Sequence, residues 1–169
     1  PRSGPAGVVL NGVPTSSAAQ RSANALDDGT FQITGVQPGN YDIEVTLPPA
    51  IRSIWSVKSI VAGGREVRDA PLTFDQGSLT GVTVTLTDQP TQLGGTLSSA
   101  SGQAATDYYV LLFPEDRALW HERSPRLRVV RPAADGTFST RDLLPGKYRI
   151  AALTDVEEGE WRTAAFLDS

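Results

Sequence analysis

The feature that most constrains this chain is a 16-residue segment that occurs twice. "DGTFQITGVQPGNYDI" covers residues 28–43, and "DGTFSTRDLLPGKYRI" covers residues 135–150. Eight positions recur in the same order. Six are Asp28, Gly29, Phe31, Pro38, Gly39 and Tyr41, matched by Asp135, Gly136, Phe138, Pro145, Gly146 and Tyr148, and the other two are a threonine (30 and 137) and an isoleucine (43 and 150). The repeat predicts two copies of one folding unit, and we call each 16-residue copy a cassette.

Each cassette has a physical explanation that involves folding rather than chemistry. Asp-Gly favours the positive backbone angles of a tight turn, and the phenylalanine after it begins a strand with its ring inward. Pro-Gly then reverses the chain. The tyrosine two residues after that glycine is typical of a tyrosine corner, in which the ring is buried and the hydroxyl binds nearby backbone.

Strand periodicity runs through most of the remaining chain. Residues 41–47, "YDIEVTL", and residues 82–88, "VTVTLTD", alternate apolar and polar side chains as half-buried strands do. Residues 108–113, "YYVLLF", are apolar on both faces and predict a central strand. Only residues 114–123 and 158–169 have room for a turn or two of helix. The expected fold is all-β, with two tandem Greek-key β-sandwich domains of immunoglobulin-like type and little helix.

The two cassettes resemble those of carboxypeptidase regulatory-like modules, which are prealbumin-like or Cna-B-like β-sandwiches. Such modules occur as tandem units in secreted and cell-surface bacterial proteins. A looser resemblance extends from residue 56 to residue 120. The resemblance implies two sandwich domains and an extracytoplasmic location, secreted or at the cell surface, and it says little about function.

The domain boundary is expected in "TDQPTQLGG", which gives a first domain of residues 1–89 and a second of residues 90–169. Only 21 residues follow Tyr148, so the second domain is expected to lack its last strand. "GVVLNGVP" (residues 7–14) resembles an opening strand, yet its spacing leaves open that the first domain has lost its first strand. Residues 14–28 are predicted to form a long mobile loop. Residues 1–12 are then a candidate strand for donation to another copy.

Composition excludes several classes of function. The formal net charge of -4 argues against a nucleic-acid partner, and the arginines of "RSPRLRVVR" (residues 123–131) are expected on a solvated strand edge. No apolar run reaches the roughly 20 residues of a membrane span. Without cysteine there are no disulfides or thiolate metal sites. The chain begins at Pro1 and contains no methionine, so we expect a processed product or an excerpt.

Catalytic motifs are not found in the sequence. His121 is the single histidine, and G-x-S-x-G, H-E-x-x-H, phosphate-loop and dinucleotide motifs are all missing. Paired acids at residues 27–28, 115–116 and 157–158 suggest a glycosidase or a calcium site only weakly, because adjacent side chains of a strand point to opposite faces. We therefore expect no enzyme, no cofactor and no metal.

Three tryptophans are the remaining candidates for binding. Trp55, Trp120 and Trp161 lie in or beside predicted loops, where exposed rings of β-sandwich modules stack on sugars. The alternative is that each ring packs at a domain edge, with Trp120 and Trp161 against each other. The expected function is a structural or interaction module with a protein partner, or self-assembly, through open strand edges. The alternative is a carbohydrate-binding module with a polysaccharide partner, and a hydrolase is a distant third.

Overall fold

The computed structural model describes the backbone of residues 7–12 and, with their side chains, residues 20–75, 78–157 and 159–168. Nearly all regular structure in these residues consists of strands in antiparallel sheets, with very little helix. The all-β prediction is confirmed. The chain divides into two compact units, Pro1–Pro90 and Thr91–Ser169.

The described residues of the first unit form seven strands. They are β1 (Gly7–Gly12), β2 (Arg21–Asn24), β3 (Gly39–Thr46), β4 (Ser56–Ala62), β5 (Arg65–Glu66), β6 (Leu72–Phe74) and β7 (Thr83–Thr87). One sheet has the order β2-β1-β3-β6 and the other the order β5-β4-β7. The alternation of β3 turns Tyr41 and Ile43 into a core that also includes Ile60 of β4.

Five strands and three short helical segments form in the part of the second unit that the structure describes. The strands are β8 (Gln92–Thr96), β9 (Tyr109–Pro114), β10 (Arg128–Val130), β11 (Thr137–Arg141) and β12 (Tyr148–Leu153). The helical segments are two 3-10 turns, Arg117–Leu119 and Glu160–Arg162, and α1 (Ala164–Leu167). One sheet has the order β10-β9-β12, and β8 pairs with β11 in a second sheet. As predicted, β9 is central, and Val110, Leu111 and Leu112 are buried.

Three strands of each unit have the same arrangement. β1 lies between β2 and β3 as β9 lies between β10 and β12. The cassette tyrosines fix the correspondence, because Tyr41 pairs with Gly12 at the end of β1 and Tyr148 pairs with Pro114 at the end of β9. β1 is therefore the counterpart of β9, and the resemblance of "GVVLNGVP" to an opening strand is wrong. The alternative left open by the spacing, that the first domain lacks its opening strand, agrees with the described residues, because none of their strands takes the place of β8.

The position of β1 also corrects two expectations about the N-terminal part. Gly7–Gly12 pairs on both sides within its own sheet, so this stretch is not a strand available to another copy. Arg21–Asn24, expected in a mobile loop, forms β2 because its backbone pairs with β1. The rest of the expected donor, residues 1–6, and residues 14–19 of the expected loop lie outside the described residues.

The remaining strands differ between the units. β6 pairs with residues 39–41 of β3, but in the described part of the second unit no strand pairs with the corresponding edge of β12. Conversely, β11 pairs with β8, whereas residues 30–34, the counterpart of β11, lie in no strand of the described first unit. The expectation that the cassette phenylalanine lies at the start of a strand therefore holds for Phe138 and is wrong for Phe31, because no described strand pairs with residues 30–34. In each unit, therefore, one stretch of the cassette lacks a described partner strand, whereas the corresponding stretch of the other unit has one.

Candidate functional site

The aspartates of the cassettes hold their turns together. Oδ1 of Asp28 accepts hydrogen bonds from the Thr30 backbone amide at 2.9 Å and from the Thr30 hydroxyl at 2.7 Å. Asp135 makes the same bonds with Thr137, at 3.0 Å and 2.7 Å. The threonine hydroxyl and then its amide lower the pKa of each aspartate below the ordinary value. Both carboxylates therefore bind within their own turns.

The tyrosines of the cassettes make matching contacts. The Tyr41 hydroxyl donates to the carbonyl oxygen of Gln37 at 2.8 Å, and the Tyr148 hydroxyl donates to that of Leu144 at 2.8 Å. In both cassettes this bond spans the Pro-Gly pair, which is Pro38-Gly39 or Pro145-Gly146. These are the contacts expected of a tyrosine corner, and they fix the chain reversal that leads into β3 or β12.

Trp120 is a core residue rather than part of an exposed platform. Its side chain is only 7% exposed, and its Nε1 donates to the carbonyl oxygen of Pro114 at 2.7 Å. Its ring meets the Phe113 ring edge to face, with centroids 5.7 Å apart. The expectation of an exposed Trp120 is wrong because the chain after β9 turns back and places the indole against the end of that strand.

Trp55 and Trp161 are half-buried. The Arg162 guanidinium lies 4.3 Å from the centroid of the Trp161 ring, and Arg162 Nη1 also donates to the carbonyl oxygen of Glu122 at 2.9 Å. Within the described residues, Phe113 rather than Trp161 is the ring partner of Trp120. The expected pairing of Trp120 with Trp161 is therefore wrong.

Arg126 of the basic cluster binds the second cassette, and Arg128 is partly buried near it. Arg126 Nη1 donates to the carbonyl oxygen of Pro145 at 2.8 Å and lies 3.3 Å from the Tyr148 hydroxyl. Burial, and then the charge of Arg162, lower the pKa of Arg128, although Tyr148 and Asp142 oppose the shift. Both side chains are partly buried, so the expectation of a solvated edge is wrong for them.

β12 combines an edge that has no partner strand among the described residues with an exposed apolar side chain. Ile150 of β12 is 55% exposed, whereas Ile43, at the same position of the first cassette, is 9% exposed. The difference arises because β3 packs into the core with Ile60 of β4, and the described second unit has no counterpart of β4. We call this surface the β12 edge.

The first unit contains a groove of about 790 Å³ beside its cassette. It runs between residues 30–36 and residues 78–82, and its apolar lining includes Phe31, Ile33 and Leu79. None of the described residues that line it carries a charge. The sequence predicted no groove here, and the one signal of it was the short spacing before Gly29, which left open the loss of a first strand. In the described first unit no strand takes the place of β8. We call this surface the cassette groove.

In the described ranges, no cluster of three or more histidine, cysteine or acidic side chains is placed to hold a metal ion. No helix among the described residues is long and apolar enough to cross a bilayer. Comparison of the chain with protein-family models, with curated proteins and with solved structures finds no match in any of the three.

Proposed function

We propose that this chain is a non-catalytic structural and interaction module that assembles by strand addition. Its two units are tandem Greek-key β-sandwiches of the carboxypeptidase regulatory-like type, belonging to a secreted or cell-surface bacterial protein. The repeated cassettes support the fold, and the β12 edge supports the assembly.

The β12 edge is the observation that carries the proposal. β3 has a partner on each side, β1 and β6, whereas β12 pairs only with β9 among the described strands. An edge strand presents a row of backbone donors and acceptors that another strand can complete. Strand addition supplies affinity through those hydrogen bonds and specificity through alternate side chains.

The side chains of β12 leave that edge unprotected. Proteins usually block an edge with several charges, a proline or a bulge. The sequence "YRIAAL" has one charge, at Arg149, whose guanidinium lies 3.7 Å from a Glu115 carboxylate oxygen. Ile150 adds exposed apolar surface. Two copies of β12 paired edge to edge would form a symmetric dimer.

The polar groups of the cassettes support a role without catalysis. Asp28 and Asp135 bind their own turns, and the hydroxyls of Tyr41 and Tyr148 bind backbone four residues earlier. These groups are thus used for folding. We do not propose carbohydrate binding, because Trp120 is buried.

The test compares two exposed isoleucines. Ile150 and Ile54 are 55% and 57% exposed, and Ile54 lies in a turn of the first unit rather than on a strand. Sedimentation of the wild-type chain should show a dimer that forms with rising concentration. Ile150→Lys should be monomeric, because a charge opposes edge pairing, and Ile54→Lys should behave as the wild type. A monomeric wild type, or equal effects of both substitutions, would contradict the proposal.

A further inference from the structure

The cassette groove lies where the second unit has a strand. In that unit, β11 pairs with β8 so that Phe138 stands opposite Gly95 and Thr140 opposite Leu93. Residues 30–34 of the first cassette correspond to β11, and they line the groove instead of pairing with a strand. The second unit therefore shows what kind of segment fits beside this part of a cassette.

The surroundings of the turn glycines differ between the two cassettes. Gly29 and Gly136 have nearly the same backbone conformation, with φ of 83° and 80°. A β-carbon on Gly136 would lie 2.5 Å from the carbonyl oxygen of Leu97, whereas one on Gly29 would meet nothing within 4 Å. The Leu97 amide also donates to the carbonyl oxygen of Gly136 at 2.8 Å. The turn at Gly136 is thus covered by Leu97, whereas the equivalent turn at Gly29 is open.

The fit of β8 indicates which side chains the groove accepts. A β-carbon on Gly95 would lie 2.9 Å from the Phe138 ring, so the ring requires glycine opposite it. Leu93 and Leu97, two residues to either side of Gly95, pack against the core of the second unit. The inward pattern is therefore apolar-x-Gly-x-apolar. Phe31 is the ring that such a glycine would face in the first unit.

Charge restricts the occupant further. The described residues that line the groove are all uncharged, and so are all five residues of β8, "QLGGT". A charged side chain entering the groove would lose its hydration without an opposite charge to compensate. An uncharged strand loses little in comparison, because its backbone can bond to the backbone of residues 31–34, which lies in no described strand.

We propose that the cassette groove binds an uncharged, extended strand of a separate polypeptide with the pattern apolar-x-Gly-x-apolar, its glycine opposite Phe31. The inference rests on the proposed function, since both invoke strand addition, but it concerns a different unit and a different surface. The groove is the recognition site and the β12 edge is the assembly site.

A peptide with the sequence of residues 91–98, "TQLGGTLS", is the probe. It is labelled and titrated into the full chain carrying Ile150→Lys, so that the β12 edge is blocked. Fluorescence anisotropy should show saturable binding with one peptide per chain. Hydrogen exchange should slow at the amides of residues 30–34 when the peptide is bound.

Two matched changes locate the binding. A peptide with valine in place of the glycine that corresponds to Gly95 should bind at least tenfold more weakly, because the added side chain meets Phe31. Thr80→Arg in the protein should also weaken binding at least tenfold, since Thr80 is an exposed residue of the groove and the fold does not require it. Arg52→Lys, outside the groove, should leave binding unchanged.

Each contrary result has its own reading. Absence of binding, or equal binding of the valine peptide, would overturn the groove assignment while leaving the dimer test of the β12 edge intact. If the peptide slows hydrogen exchange in β12 instead of in residues 30–34, it binds at the β12 edge. That result would also overturn the groove assignment. If the chain without peptide associates in a way that Thr80→Arg abolishes, a second copy fills the groove, which contradicts a separate partner.

Discussion

The indole nitrogen of Trp120 donates a 2.7 Å hydrogen bond to the carbonyl oxygen of Pro114, the last residue of β9. This bond and the contact with Phe113 anchor the segment that follows the central strand of the second unit. Trp120→Ala should lower the free energy of unfolding by about 3–5 kcal/mol, because it removes a large buried ring. Urea unfolding measures the loss. Trp161 is half-buried, so Trp161→Ala should lower the free energy of unfolding by less. Equal losses in the two variants would contradict the assignment of Trp120 to the core.

Removing either cassette hydroxyl should weaken the fold modestly. Tyr41→Phe and Tyr148→Phe each delete a 2.8 Å hydrogen bond to backbone, worth about 0.5–1.5 kcal/mol net. Tyr148→Phe should cost more than Tyr41→Phe, since its hydroxyl also lies near Arg126. Thermal melts followed by circular dichroism give both values. Tyr108→Phe, at an exposed ring, is the control, and unchanged melting in both variants would remove the tyrosine-corner assignment.

The turn aspartates should titrate below the ordinary aspartate range. Hydrogen bonds from Thr30 and Thr137 favour the charged carboxylates of Asp28 and Asp135. Their stabilising effect is complete above the unfolded pKa of about 4 and is lost as the pH falls through the lowered folded pKa. NMR titration should give low pKa values for both, and Thr30→Val or Thr137→Val should raise the pKa of the adjacent aspartate only. An unchanged pKa would contradict the hydrogen-bond cause.

The turn glycines give a matched pair of substitutions. Alanine at either Gly29 or Gly136 must adopt a positive φ, at a cost of roughly 1–2 kcal/mol. Only Gly136→Ala also collides with the carbonyl oxygen of Leu97. We therefore expect Gly136→Ala to destabilise its unit more than Gly29→Ala destabilises the other, as measured by hydrogen exchange within each unit. Equal effects would show that the contact with Leu97 adds no strain.

Local patterns predicted the parts of the fold that depend on neighbouring residues. The turns at Gly29 and Gly136, the alternation of β3 and the buried strand β9 all follow from turn chemistry and side-chain period. The resemblance of β1 to an opening strand was wrong, and the short spacing before Gly29 was the signal that the described first domain lacks that strand. The sequence could not show that β1 instead takes the place of β9, because that depends on its pairing with β2 and β3.

Contacts between distant residues decided the rest. Arg126 binds the carbonyl oxygen of Pro145, which lies 19 residues further along the chain. The charge of its segment suggested a solvated position, because the sequence does not show that the two residues meet. Trp120 is buried where its indole nitrogen binds the carbonyl oxygen of Pro114, and the neighbouring sequence does not reveal this contact. The cassette groove depends on which strand lies beside Phe31, and that neighbour is set by the topology of the whole unit.

The connections between paired strands have one further consequence. Eight residues separate β1 from β2 and thirteen separate β9 from β10, yet Leu10 pairs with Arg21 in the same register as Leu112 pairs with Arg128. This position therefore accepts chain of different length without a change in the sheet. For protein engineering, it is the place to graft a foreign loop such as an epitope or a protease site. A longer connection there should leave the pairing of β1 with β2 unchanged, because the longer connection of the second unit leaves β9 and β10 in the same register.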